Sequence, residues 1–204
     1  MMMANESSRN ISRIKRTLAD AVSQQRLFHP ITRTHLQCLA ELAATEEHRF
    51  FEKNASAALY KDRLLAVALC QGAALHCVDL KNGVKDFDIH FFYLQHPAKK
   101  RLARAVKHVI ANFPIFGMRR VDFIRTVIPE KFVAKNRSEV SALLRAFLQQ
   151  RPTPNACHLA EKAVVGLFPS SLLGKIIWAR VPLAGRGGVQ PAVTESERPG
   201  CSRP

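Results

Sequence analysis

The stretch "QGAALHCVDLKNGVKDFDIHFFY", residues 71–93, decides the fold. It follows "RLLAVALC", residues 63–70, a short continuous apolar run of the kind a buried strand makes. Gly72 predicts a turn into a short helix, and Lys81-Asn82-Gly83 predicts a second turn. The aromatic and β-branched run from Asp86 to Tyr93 then predicts another strand. The unit is therefore strand, helix, turn, strand, which places the chain in the α/β (α+β) class.

Strand side chains alternate faces, so Asp86, Asp88, His90 and Phe92 share one side and Phe87, Ile89, Phe91 and Tyr93 the other. Two carboxylates at that spacing stand about 6–7 Å apart at their Cα atoms. At an effective dielectric of about 20 they repel by roughly 2–3 kcal/mol. A hard divalent cation offsets this directly, because Mg²⁺ prefers carboxylate oxygens while keeping water and phosphate ligands. Pairing with nearby Lys or Arg, or a solvated strand start, would also serve. A third carboxylate, Asp122, lies in the strand-like "RRVDFIRTVIP", residues 119–129, between Val121 and Phe123. It needs a role or a partner, such as Arg119 or Arg120.

Outward from this stretch, residues 1–8 predict a disordered start and residues 9–62 an N-terminal helical region. Ile11, Ile14, Leu18 and Val22 recur at helical spacing over 9–25, and His29-Pro30 breaks the pattern. A second helix is expected from near Thr32. Pro97 predicts the opening of a helix over about 98–112, with Leu102, Val106, Val109 and Ile110 on one side. Helices are expected over 138–150 and 155–163, a last strand in "AVVGLF", residues 163–168, and Trp178 in the core. The main α/β domain would span 63–181. Residues 182–204 carry four prolines and four glycines and predict a disordered tail.

The 204 residues carry a formal net charge of +15, which points to an anionic partner. Hydrophobic residues make up 47%, enough for an ordinary core. Five cysteines without a Cys-x-x-Cys spacing argue against a disulfide scaffold and for a reducing, cytoplasmic setting. A zinc site around His76 and Cys77 lacks paired ligand spacing. The N-terminus has no signal-peptide pattern, and no apolar run approaches the roughly 20 residues of a spanning helix. No hydrolase elbow, Walker loop or His-Glu-x-x-His occurs.

Residues 71–89 resemble the signature of the nucleotidyltransferase superfamily, the DNA polymerase β-like fold, and in particular its bacterial minimal and AbiEii-related members. Gly72 falls on the second glycine of a Gly-Gly-x-Ala-Leu motif and Ala74-Leu75 on its Ala-Leu pair. Lys85-Asp86-Phe87-Asp88 falls on Lys-Asp-x-Asp without a gap, and Asp122 is similar in placement to the third carboxylate. Gln71 stands where the first glycine would be and Val84 where a threonine would be; no serine follows Gly72. The resemblance spans about 63–128.

The resemblance implies an α/β fold with a mixed sheet flanked by helices, and a two-metal phosphoryl transfer with an NTP as substrate. Asp86 and Asp88 would hold Mg²⁺ on the phosphates, and Asp122 would bind the second metal or act as general base. Gly72, Ala73 and Lys85 would receive the phosphates at the helix start. From Pro97 to Arg137 there are eleven Lys/Arg against two acids, so Lys99, Lys100 and Arg104 are expected to hold a nucleic-acid acceptor, RNA by preference. The alternative is a catalytically weakened relative that binds nucleic acid or a protein partner. A membrane-surface role for the basic 98–112 segment is disfavoured, because its apolar side is needed for the core.

Overall fold

The computed structural model describes residues 25–98, 102, 107–132 and 139–180. The first eight residues, most of the helix expected over 9–25, Lys99, Lys100, Arg104 and the 182–204 tail lie outside these. The chain is of mixed α/β class, a six-stranded mixed sheet with helices on both faces.

Helix α1 runs Arg33–Lys53, capped as its sequence dictates. The Thr32 hydroxyl accepts from the His35 N–H, and His35 Nδ1 accepts from the Thr32 N–H at 3.0 Å. The other ring nitrogen of His35 donates to the Pro114 carbonyl at 3.0 Å, which ties α1 to the sheet edge. A 3-10 segment, Ala55–Arg63, leads into β1, Leu64–Cys70. Helix α2, Gln71–Asp79, follows without a linker, and β2 is Phe87–Leu94. Strands β3, Lys107–Phe113, and β4, Gly117–Ile128, form a hairpin. Helices α3, Val140–Gln150, and α4, Pro154–Ala160, precede β5, Ala163–Phe168, and β6, Ile176–Ala179.

The sheet order is β3-β4-β2-β1-β5-β6, with β2 and β4 parallel and every other pair antiparallel. Alternation sorts the side chains into two cores. Val67, Leu69, Phe87, Ile89, Phe91, Val121 and Phe123 pack under α1 and α2. Ala66, Ala68, Cys70, Phe92 and Val164 pack under α3 and α4. On the α1 side Arg125 is buried, its guanidinium 3.5 Å from the Phe50 ring centroid and 5.3 Å from that of Phe91. Gly166 is obligatory on packing grounds: a Cβ there would lie 2.3 Å from the Leu172 carbonyl oxygen.

The expectation of a helix over 98–112 is overturned for its second half. Lys107–Phe113 is an edge strand, and Pro97 and Ala98 form a turn. Val109, Ala111 and Phe113 point into the first core, while His108, Ile110 and Asn112 point away. Val109 and Ile110 thus occupy opposite faces, whereas the helical reading put them together. The short β6 strand was not foreseen. Trp178 is only partly buried; it packs on the second core and donates Nε1–H to the Ala160 carbonyl at 3.0 Å. Cys70, Cys77 and Cys157 are free thiols, whereas Cys38 takes part in a disulfide, which the argument against a disulfide scaffold did not anticipate.

Candidate functional site

One row of residues crosses all six strands on the α3/α4 face. Trp178 pairs with Val164, Val164 with Cys70, Cys70 with Asp88, Asp88 with Asp122, and Asp122 with His108. Paired positions on neighbouring strands present side chains to the same face, about 4.8 Å apart. Asp88 and Asp122 are therefore side by side, and Asp86 stands immediately before β2. Helices cover the row as far as Cys70, which is fully buried. Asp88 and Asp122 are half-buried and His108 is exposed. The carboxylates sit where helical cover gives way to open sheet.

Burial pushes the Asp88 carboxyl up to about 7, and the charges of Asp86 and Asp122 push in the same direction. Lys162 and Arg120 oppose this in part. Asp122 is held by Arg120, whose Nε donates to its carboxylate at 2.8 Å. Among the described residues no group of three or more His, Cys, Asp or Glu is disposed to hold a metal ion. Asp122 is engaged by Arg120, which leaves Asp86 and Asp88 as the carboxylates that could hold a cation. That donor set fits Mg²⁺, which takes one or two carboxylates and completes its shell with water and phosphate.

The helix start next to the carboxylates differs from an open phosphate cradle. Gln71 has φ +60°, the left-handed conformation that glycine adopts without strain. Its side chain is buried, Nε2 donating to the His158 carbonyl at 3.4 Å and Oε1 lacking a partner. The Gly72 carbonyl accepts from Asn82 Nδ2 at 2.9 Å, and a Cβ at Gly72 would lie 3.2 Å from that nitrogen. The Lys81–Gly83 turn thus latches onto the first turn of α2. Ala73 has its side chain in the core, and Lys85 is exposed.

His90 lies beneath the carboxylates, buried and neutral. Desolvation, and then the charge of His158, push its imidazole down to about 3. Its Nδ1 is 3.3 Å from the Thr126 hydroxyl, which accepts from Asn155 Nδ2 at 2.6 Å. This line ties β2 and β4 to α4. His76 is structural: its Nδ1 accepts from the Gly83 N–H at 3.1 Å and its Nε2 donates to the His29 carbonyl at 3.0 Å. His76 is thus a buried residue with both ring nitrogens engaged by the backbone.

Lys162, Asn155 and His158 escaped the sequence reading. They lie far from 71–93 in sequence and come to the site because β5 pairs with β1. A concavity lined by Leu59, Asp62, Arg63, Leu64, Leu65 and Leu94 lies at the opposite end of β1 and holds none of the three carboxylates. Among the described residues no helix is long and apolar enough to cross a membrane. Comparison with protein-family models, with curated proteins and with solved structures found no match.

Proposed function

We propose that the protein is an Mg²⁺-dependent nucleotidyltransferase that moves a nucleoside monophosphate from an NTP to an acceptor hydroxyl. The observation that carries this reading is the in-register pairing of Asp88 with Asp122 across β2 and β4, with Asp86 one position before β2. Two further features support it. The position where the resembling family has its first glycine, Gln71, has the left-handed φ that a glycine would favour. The α2 N-terminus follows directly on Cys70, the register partner of Asp88. The first N–H groups of a helix have no intrahelical partner and suit phosphate oxygens.

Each residue then has a role. Asp86 and Asp88 would hold the cation, which when bound would supply charge neutralisation on the phosphates. The backbone of Gly72 and Ala73, with Lys85 and Lys162, receives the β- and γ-phosphates. The acceptor oxygen attacks the α-phosphorus, the bond from that phosphorus to the bridging oxygen breaks, and pyrophosphate leaves. The acceptor proton passes to Asp122 or to water, once Arg120 has turned away from the carboxylate. NTP and Mg²⁺ would be supplied in a cytoplasmic setting, with RNA as the favoured acceptor.

The test is incubation with α-labelled NTPs, Mg²⁺ and total RNA, DNA or protein. One pool should acquire label with the wild type and none with Asp88→Asn. Label that survives Asp88→Asn would refute the assignment. The Asp122–Arg120 ion pair favours one second reading, a relative that binds nucleic acid without transfer. That reading predicts nucleic-acid binding with no label in any pool.

A further inference from the structure

We infer that the concavity at the far end of β1 binds a small zwitterion with an apolar side chain, an α-amino acid of about leucine size. It is lined by Leu59, Asp62, Arg63, Leu64, Leu65 and Leu94, and its volume is about 400 Å³. Pockets that take small organic ligands run from about 300 to 1,000 Å³. The seven residues of β1, at about 3.4 Å each, set the concavity roughly 20 Å from the carboxylates. It is therefore a site separate from the proposed transfer centre.

Two backbone irregularities build it. In a regular strand Leu64 and Leu65 would stand on opposite faces. The register of β1 on β2 shifts between Leu64 and Ala66: two steps along β1 match the single step from Tyr93 to Phe92. A bulge of this kind re-aims a side chain, and here both leucines line one hollow. Just before them Asp62 departs from helical geometry, with φ −97° and ψ 18°, where the 3-10 segment kinks into the strand. Asp62 and Arg63 thereby join the leucines around the same space. Leu59 closes the apolar wall and is exposed, and Leu94 is half-buried.

The two charges identify the occupant. Arg63 donates from one guanidinium nitrogen to the Gln95 carbonyl at 2.9 Å, which fixes it across the ends of β1 and β2. A guanidinium carries five N–H donors, so others remain for a ligand. Asp62 and Arg63 are neighbours in sequence, yet none of the salt bridges among the described residues joins them or involves either one. One anionic and one cationic side chain thus border an apolar wall without neutralising each other. A simple anion would suit Arg63 and be repelled by Asp62, and a simple cation would meet the reverse. A molecule with a carboxylate and an ammonium on one carbon suits both. Its carboxylate takes the planar N–H pair of Arg63, its ammonium donates to Asp62, and its apolar side chain lies on the leucines.

The experiment titrates the full chain with L-leucine, read by saturation-transfer NMR. The wild type should bind with a Kd of about 1 mM or tighter. Isocaproate, which lacks the amine, and isoamylamine, which lacks the carboxylate, should each bind about tenfold more weakly. Arg63→Gln and Asp62→Asn should each weaken leucine about tenfold. Asp62→Asn should leave isocaproate no weaker than in the wild type, and Arg63→Gln should likewise spare isoamylamine, because each truncated probe lacks the group that the lost charge would meet. Asp62 is exposed, so its variant keeps the test valid if Arg63→Gln, which also loses the Gln95 contact, does not fold. Absence of leucine binding by the wild type up to about 20 mM overturns the proposal. So does unchanged leucine affinity in folded Asp62→Asn or Arg63→Gln protein. Isocaproate that binds as tightly as leucine also overturns it, and replaces the zwitterion with a plain apolar anion.

Discussion

Replacing Asp88 with asparagine should stabilise the protein at alkaline pH, and by an amount that depends on pH in a defined way. In the unfolded chain the carboxyl ionises near its ordinary 3.8; in the fold it does so at about 7. The folded state therefore holds this proton more tightly. The associated stability is complete below about pH 4 and is lost as pH rises to about 7. Carrying one carboxyl across that interval corresponds to about 4 kcal/mol at about 1.4 kcal/mol per pH unit. Solvent at the exposed edge of the half-buried carboxylate screens part of this, and about 2–3 kcal/mol is expected. Wild-type stability alone would mask the effect. His90, whose imidazole is depressed to about 3, contributes stability above its ordinary 6.5 that is lost on acidification, the opposite slope. The difference between Asp88→Asn and wild type removes the His90 contribution. Urea unfolding from pH 4 to pH 8 should show the variant gaining on the wild type by those 2–3 kcal/mol, with most of the gain by pH 7. Mg²⁺ should stabilise the wild type at pH 8 and leave the variant unmoved, because a bound cation replaces the proton. A flat difference across the pH range would refute the idea that burial and two neighbouring carboxylates load Asp88. Equal Mg²⁺ effects on both proteins would refute Asp88 as a cation ligand.

Three other outcomes are expected. Arg120→Gln removes the charged donor from Asp122, so the Mg²⁺ midpoint measured by calorimetry without acceptor should fall about tenfold, about 1.5 kcal/mol for a charge-assisted hydrogen bond. An unchanged midpoint would mean that Asp122 does not join the cation. Gly166→Ala forces a Cβ to 2.3 Å from the Leu172 carbonyl oxygen, and thermal unfolding should show a loss of about 2–4 kcal/mol. Alkylation followed by mass spectrometry should modify the exposed Cys157 well before Cys77, whose thiol burial pushes up to about 12, and before the fully buried Cys70. Rapid labelling of Cys70 would mean that the second core opens readily.

The strand–helix–turn–strand unit at 64–94 was legible because each of its signals is local. The apolar run gives β1, the Lys81–Gly83 turn ends the helix connection, and alternation sets Asp88 on one face and Phe87 on the other. These depend on steric and hydrophobic rules that act within a few residues. Residues 107–113 were misread because Val109 and Ile110 satisfy a helical stripe as well as a strand. Hydrogen bonding to β4, some ten residues on, settles which one forms. That Asp88 and Asp122 share a face follows from the parallel register of β2 and β4, which no local pattern specifies. The pairing of β5 with β1 brings Lys162 to the carboxylates, and α3 and α4 pack on the β1 side of them. The carboxylates themselves were determined by the sequence. Their company, the pairing of Asp122 with Arg120 and the load on Asp88 were decided by tertiary structure, because proximity and desolvation arise only when distant strands are brought together.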